Sequence, residues 1–372
     1  MGSGEGERFM HHTILPPWRA SIPPLAAALL VLAVHADLLD VRAPLLLVLA
    51  GVLLVASVFS AVHFAETVSH RVGQPFGSIV LALAVTVIEV ALIVSMMLSP
   101  SEGDTTVARD TVFATVMLVL NGVVGLCLLV GGLRHREQSF QSHGAAAAFG
   151  VLGTLATLTL ILPNFTLAVE GPHYSTVQLA FVTVVSLILY GTFLFVQTVR
   201  HRGDFLDIVT TEEAGGHPVP TNGEAAIGGV FLVVSLLMVI LLAEMLAPSV
   251  EAGVAGIGFA EAFVGVIIAA VILLPEGMTA LRAAASNRLQ TSLNVATGSA
   301  LASIGLSIPA IAAVSFLMGR PITLGLEREH IVLLVLSLFV GTLTLATGRT
   351  TIMQGAVHLV IFGCFVLLAA VP

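Results

Sequence analysis

The chain has 372 residues, of which 57% are hydrophobic and only 10% are charged, and its mean hydropathy is +1.05. A soluble globular domain carries about 25% charged residues, so this composition excludes a soluble enzyme, a nucleic-acid-binding protein and a disordered scaffold. Most of the chain must therefore be solvated by lipid. The net charge is −8, all 14 basic residues are arginine, and no basic run is present that would bind anionic lipid or nucleic acid.

Eleven apolar runs approach the roughly 20 residues that a helix needs to cross a bilayer. The runs are continuous and lack the period-two alternation of a membrane β-barrel. Because backbone groups in hydrocarbon must bond within their own segment, they predict an all-α polytopic membrane protein. The runs lie at residues 24–39, 43–68, 75–98, 111–133, 145–165, 176–199, 225–247, 259–283, 291–317, 330–347 and 351–371.

The first run is short, and Val34-His35-Ala36 near its end resembles a signal-peptidase site. We interpret this run as a genuine first helix rather than as a cleaved signal peptide.

The two cysteines, Cys127 and Cys364, both lie inside apolar runs. This position favours buried thiols over a disulfide or a metal site.

The arginines predict the orientation, because cytoplasmic loops are enriched in basic residues. With the N-terminus in the cytoplasm, ten arginines fall inside and four fall outside. Eleven spans then place the C-terminus outside. The predicted location is the inner (plasma) membrane of a bacterium. The four external arginines are Arg42, Arg109, Arg320 and Arg328.

The longest loop, residues 200–224, contains Asp204, Asp207, Glu212 and Glu213 and is predicted to be a solvated cytoplasmic linker, with a regulatory cation site as the alternative. It divides the chain into residues 1–42 with the first helix, residues 43–199 and residues 225–372. The last two units are each predicted to hold five helices.

Features of the first unit recur in the second. Ala65-Glu66, Gly77 and Glu89 correspond in order to Ala243-Glu244, Gly265 and Glu276, and the glycine precedes the second glutamate by 12 positions in the first unit and by 11 in the second. Five helices separate the copies, and an odd number inverts the second copy in the membrane. Inverted repeats are typical of secondary transporters, which bind their substrate near the midplane where the repeats meet.

Glu89 and Glu276 are the most informative polar residues, because each lies inside an apolar run. An ionised carboxylate at the bilayer centre costs several kcal/mol, so it must be paired, solvated or protonated. Pro275 and Gly277 flank Glu276 and are expected to break the helix and free carbonyl oxygens. Such oxygens beside a carboxylate suit Ca²⁺.

Two neighbouring carboxylates in an apolar medium repel each other and are poorly solvated, so both favour their protonated form. A bound cation favours the ionised form and displaces the protons. Competition between cation and proton for one pair of groups is the simplest basis for antiport. The alternative is that each glutamate is structural and bonds to a neighbouring helix.

These residues carry a family resemblance. Residues 74–95, QPFGSIVLALAVTVIEVALIVS, and residues 275–309 resemble the two signature sequences of ChaA-type calcium/proton antiporters. The resemblance covers nearly all of residues 43–371. It implies exchange of cytoplasmic Ca²⁺ for external protons, with Na⁺ or K⁺ as alternative substrates. It also implies that Glu89 and Glu276 bind the cation.

One departure from the family concerns the ligands. Many cation/proton exchangers carry Gly-Asn-Ala-x-Glu at both sites, and this chain lacks both asparagines. Thr86, next to Val85, could replace one ligand, whereas Leu273 could do so only through its backbone. Further candidates for oxygen ligands, or for hydrogen bonds between helices, are Asn121, Ser299 and Ser303.

His63, Glu66 and His70 are spaced to share one helix face. They are candidates for a proton path, because histidine titrates near neutral pH, or for an interfacial ion-pair cluster with Arg71. Glu244, the repeat partner of Glu66, is a candidate on the opposite side of the membrane.

The expected function is therefore secondary transport, with Ca²⁺ and protons as substrates and with no separate cofactor. A passive cation channel is disfavoured by the inverted repeat, because channels typically form their pore within a symmetric oligomer. An intramembrane enzyme is strongly disfavoured, because the sequence contains no His-Glu-x-x-His, Gly-x-Ser-x-Gly or paired intramembrane aspartate. The sequence leaves open whether the chain forms a homo-oligomer.

Overall fold

A computed structural model describes residues 17–39, 43–73, 76–98, 106–207, 220–260, 262–319 and 321–372. In these residues the predicted all-α architecture is confirmed. Ten helices are long and apolar enough to cross a membrane. The helix Phe76–Leu98 completes the predicted set of eleven. Glu212, Glu213, Arg42 and Arg320 lie outside the described residues, as do residues 1–16.

The α-helices are numbered in chain order. They are α1 Pro17–Ala20, α2 Ile22–His35, α3 Pro44–Val72, α4 Phe76–Leu98, α5 Val107–Met117, α6 Val124–His135, α7 Ser142–Ala156, α8 Thr176–Phe195, α9 Asn222–Gly256, α10 Ala262–Ala285, α11 Leu289–Ala302, α12 Ile308–Met318, α13 Arg328–Ala346 and α14 Ile352–Ala370.

Short irregular turns join several of these helices into single spans. A first π segment, Leu118–Val123, joins α5 to α6, and a second π segment, Ser303–Ser307, joins α11 to α12. Two further π turns, Thr157–Ile161 and Val196–Arg200, extend α7 and α8. Such turns often mark functional positions in helices.

Polar residues determine where several helices begin. At the start of α9, Glu224 N donates to Thr221 Oγ1 over 3.2 Å, and Thr221 N donates to Glu224 Oε2 over 2.7 Å. This reciprocal pair is a capping box, which satisfies amides at the open end of a helix. It begins α9 slightly earlier than the apolar run predicts, and the helix continues through Pro248 to Gly256.

Three apolar clusters arrange the helices in layers. The largest contains residues of α5 to α8 and of α10 to α14. A second joins α2, α3 and α9 through residues such as Leu30, Ala50 and Leu242. The third places Val58 of α3 and Val239 of α9 against Ile88 of α4 and Ile272 of α10. Helices α4 and α10 therefore lie between an α2–α3–α9 layer and the main core.

One end of the bundle, which we call the Arg109 end, holds the start of α5 against the start of α13. The Arg109 side chain is 6% exposed and pairs with Asp110 over 2.7 Å and with Glu327 over 3.6 Å. It also donates to the Gly325 carbonyl over 3.1 Å. The sequence predicts that this end faces the cell exterior.

At the opposite end, which we call the Asp207 end, two short strands pair antiparallel: β1 Gln138–Ser139 and β2 Arg349–Thr350. Asp207 accepts hydrogen bonds from Thr291 N at 3.1 Å and from Thr291 Oγ1 at 2.6 Å, and it pairs with Arg288 at 3.1 Å. It thereby caps the start of α11, where a negative charge is favourable.

This docking differs from the predicted solvated linker. Phe205 is buried and packs against Phe193, and its carbonyl accepts a hydrogen bond from Asn294. The first residues after the α8 span therefore belong to the folded core.

The prediction of two buried thiols is half correct, because Cys127 is buried and Cys364 is exposed.

Close packing of α14 on α6 gives a test of the fold. A Cβ atom on Gly355 would lie 2.5 Å from Leu129 N, whereas Gly363 of the same helix has nothing within 4 Å of that position. Overpacking costs about 1–3 kcal/mol. We expect Gly355→Ala to lower the melting temperature of the detergent-solubilised protein by several degrees and Gly363→Ala to leave it unchanged. Equal melting temperatures would contradict this packing.

Candidate cation-binding site

Glu89 lies in the middle of α4, is 4% exposed and accepts three hydroxyl hydrogen bonds. Thr115 of α5 donates to Oε1 over 3.3 Å, and Ser303 donates to the same oxygen. Ser307 donates to Oε2 over 2.9 Å. Both carboxylate oxygens are therefore held by side chains from two other spans.

Two serines of the second π segment reach one carboxylate. Ser303 is its first residue and Ser307 its last. Residues four apart are neighbours on a helix surface, so both hydroxyl groups can face Glu89. Gly305 between them lies against Tyr190 of α8, and a Cβ atom there would lie 2.9 Å from the Tyr190 Cβ.

Glu276 lies in α10 and has a different environment. The residue is half-buried, but its Oε2 atom is buried and has no hydrogen-bond partner among the described residues. Glu66 and Glu89 both lie close enough to Glu276 to interact with it electrostatically. A buried carboxylate oxygen without a partner is costly, and a cation or a proton would satisfy it.

The prediction that Pro275 and Gly277 break the helix is wrong. Helix α10 is continuous from Ala262 to Ala285. Proline lacks the amide hydrogen that would reach Val271, so only this carbonyl loses its helical donor. The Pro275 carbonyl itself accepts a hydrogen bond from Thr279 Oγ1 over 2.9 Å.

The two π segments have related surroundings. The second, in the predicted second repeat, contacts Glu89 of the predicted first repeat through its serines. The first π segment packs against Gly277, the residue after Glu276, because a Cβ atom on Gly277 would lie 3.4 Å from Val123 Cγ2. The second π segment thus contacts its glutamate helix through serine hydroxyl groups, and the first contacts its glutamate helix through an apolar side chain.

The remaining predicted ligands lie at different distances from the two glutamates along the chain. Thr86 and Leu273 are buried and Val85 is half-buried, each about one helical turn before a glutamate. Ser299 is half-buried in α11, one turn before Ser303. Asn121 bonds across helices to Ser337 and His358 and is not among the groups that contact Glu89 or Glu276.

The candidate proton-path residues lie on the α3–α9 layer. His63 is half-buried and packs edge-on against Phe64, whereas Glu66 and His70 are exposed. Glu244 is exposed on α9. Arg71 donates to Asn222 Oδ1 over 2.8 Å through Nε, which ties the end of α3 to the start of α9.

Sequence reasoning missed two groups that contact Glu89, namely Thr115 and Ser307. Ser307 lies four residues after the predicted Ser303, and this spacing could have identified it. Thr115 gives no such signal, because only the fold brings α5 beside α4. Among the described residues, no three His, Cys, Asp or Glu side chains converge as a metal-binding group.

The sequence model of a known family, the sodium/calcium exchanger protein family, matches residues 42–199 and 227–371. The chain belongs to this family. It is therefore a multi-pass membrane transporter and not an enzyme, as its sequence predicts. The match stops before the acidic linker and resumes after it.

Two relatives align over most of the chain. The protein y4hA of Sinorhizobium fredii, an ionic transporter by name, is 56% identical over 320 residues, which are 85% of this chain and 86% of that protein. The sodium-potassium/proton antiporter ChaA of Escherichia coli is 32% identical over 316 residues, which are 84% and 85% of the two chains. The predicted resemblance to ChaA-type exchangers is confirmed.

Solved structures agree on the fold. The structure of native YfkE superposes with a TM-score of 0.69 at 17% identity and covers 95% of this chain and 100% of that one. The crystal structure of the H⁺/Ca²⁺ exchanger CAX gives a TM-score of 0.64 at 15% identity, with 95% and 94% covered.

The contact of Gly305 with Tyr190 tests the geometry around Glu89. Gly305→Ala would push the second π segment away from α8 and displace Ser303 and Ser307. Because small misplacements of a binding group cost roughly tenfold or more, we expect transport to fall at least tenfold. The measurement is ion flux in vesicles at matched protein amount.

Gly298→Ala is the matched control, because nothing lies within 4 Å of a Cβ atom at this position in the same span. It should transport like the unmodified chain. Unchanged transport by Gly305→Ala would show that the spacing between the second π segment and α8 does not matter.

Proposed function

We propose that the protein exchanges cytoplasmic Ca²⁺ for external protons by alternating access, with cation and protons competing for Glu89 and Glu276. One observation carries the proposal. Glu89 and Glu276 lie on helices α4 and α10, which pack together through Ile88 and Ile272, and Glu276 Oε2 is buried with no hydrogen-bond partner among the described residues. The family and the relatives support cation/proton exchange in general.

Competition follows from the chemistry of the pair. Two ionised carboxylates without a countercharge repel each other and are poorly solvated within the bundle. Either protons or a cation removes this cost, and neither can bind fully while the other is present. The protein therefore changes its access from one side of the membrane to the other with either the cation or the protons bound, so that movement of one drives the opposite movement of the other.

The donor set favours a hard cation. Glu89 and Glu276 supply carboxylate oxygens, and Thr115, Ser303 and Ser307 supply hydroxyl oxygens around Glu89. Oxygen-only ligation suits Ca²⁺, and two carboxylates balance its charge. Thr86 and Ser299 are proposed as further ligands when the cation is bound.

Na⁺ or K⁺ is the second candidate substrate, because oxygen ligands also suit monovalent ions. The relatives differ in their names on this point. The Escherichia coli protein is a sodium-potassium/proton antiporter, whereas the Bacillus subtilis relative, 26% identical over 214 residues, is a Ca²⁺/H⁺ antiporter. The charge of the carboxylate pair leads us to propose Ca²⁺ as the substrate.

The α2–α3–α9 layer is the proposed moving part. It meets α4 and α10 through an apolar cluster, and buried small side chains of α3, such as Ala61 and Ala65, allow close approach. Sliding of this layer would expose the glutamates first at one end and then at the other. His63, Glu66 and His70 would carry protons at the Asp207 end and Glu244 at the Arg109 end.

Proton-loaded everted vesicles with a pH-sensitive dye test this proposal. Adding Ca²⁺, Na⁺ or K⁺ in turn should release protons, with the strongest response to Ca²⁺. Glu89→Gln and Glu276→Gln should each lower this response at least roughly tenfold, because a buried charge partner is lost.

Glu251→Gln is the matched control, because Glu251 is exposed on α9. It should respond like the unmodified chain. Full exchange by both site variants would refute the site, and cation flux that is independent of protons would indicate a channel. A response to Na⁺ or K⁺ alone would identify the second substrate class.

A further inference from the structure

A second buried polar cluster lies in the main core, away from the two glutamates. It consists of Asn121 on the first π segment, Ser337 and Thr344 on α13, and His358 on α14. Asn121 and Ser337 are 0% exposed and His358 is 1% exposed. Burying so many polar groups is costly unless each of them has a hydrogen-bond partner.

The hydrogen bonds form one consistent chain. Ser337 donates to the Leu333 carbonyl over 2.7 Å and so accepts from Asn121 Nδ2 over 2.9 Å. The Asn121 amide oxygen therefore faces His358 Nδ1 at 3.1 Å, which must carry a hydrogen. A neutral imidazole then accepts from Thr344 Oγ1 through Nε2 at 3.2 Å.

This chain fixes the first π segment. Asn121 is the only polar side chain of Leu118–Val123, and its bonds fasten the segment to α13 and α14. Gly125 allows the close approach, because a Cβ atom there would lie 3.0 Å from the His358 Cβ.

The same segment contacts the glutamate helix. Val123, two residues after Asn121, lies against Gly277, which directly follows Glu276. Glu276 has an unpartnered carboxylate oxygen and lacks the hydroxyl partners that hold Glu89. Its position therefore depends on how α10 packs, and this packing includes the first π segment.

We propose that Asn121 and His358 are positioning residues for Glu276. Their hydrogen bond sets the first π segment, whose Val123 sets the place of Gly277 and of the adjacent carboxylate. The inference rests on the proposed function, in which Glu276 binds the cation. It assigns His358 a fixed, uncharged role and not that of a proton carrier.

Two substitutions of His358 separate its two bonds. Asparagine places an amide near the Nδ1 position and can keep the bond to Asn121, whereas glutamine places one near Nε2 and can keep only the bond to Thr344. Asn121→Ala removes the central group, and Thr344→Val removes the outer one. All four variants are assayed as full-length protein in vesicles at matched protein amount.

The measurement is the Ca²⁺ concentration for half-maximal exchange, together with the maximal rate. We expect His358→Gln and Asn121→Ala to raise this concentration roughly tenfold, the effect of losing one buried hydrogen bond. His358→Asn and Thr344→Val should stay near the unmodified value. A role in stability alone would lower the melting temperature and leave this concentration unchanged, which would overturn the proposal.

A second outcome would also overturn the proposal. If His358→Asn loses exchange as completely as His358→Gln does, the bond to Asn121 is not sufficient and a titrating histidine is required. The Glu276→Gln variant separates this inference from the proposed function. If Glu276→Gln keeps full exchange, the site assignment fails. If Glu276→Gln loses exchange while Asn121→Ala and His358→Gln behave like the unmodified chain, only the positioning role fails.

Discussion

Glu89 and Glu276 face the same physical constraint, because two carboxylates inside an apolar bundle repel each other and have little water to solvate them. The fold meets this constraint unequally. Three hydroxyl groups hold Glu89, whereas one buried oxygen of Glu276 has no partner in the part of the chain that the structure describes. In the proposed exchange, a cation or a proton supplies the partner for this oxygen.

The surrounding helices determine where these carboxylates lie. Ser303 and Ser307 of the second π segment donate to Glu89, and Val123 of the first lies against Gly277, the residue after Glu276. Each predicted repeat thus supplies a π segment to the glutamate helix of the other. The main core anchors both segments, while the α2–α3–α9 layer meets the glutamate helices mainly through apolar side chains.

The spans and the two glutamates could be predicted from the sequence, because apolar length and isolated charge are strong local signals. Ser303 was named as well, as a polar residue inside an apolar run that could bind the cation or bond to another helix. Other features depend on tertiary contacts. Thr115 reaches Glu89 only because α5 packs beside α4, and Asp207 leaves the predicted linker to cap α11. Pro275 was expected to break its helix, but neighbouring packing keeps α10 continuous. The domain boundaries stay predictions.

The central claim is that cation and protons compete for the same two carboxylates. It is tested most directly by adding Ca²⁺ to the purified protein in weakly buffered solution and measuring the protons released with a pH-sensitive dye. Proton release should rise in proportion to the Ca²⁺ bound and should be absent when both Glu89 and Glu276 are replaced by glutamine. Ca²⁺ binding without proton release near neutral pH, or equal release by the double variant, would contradict the claim.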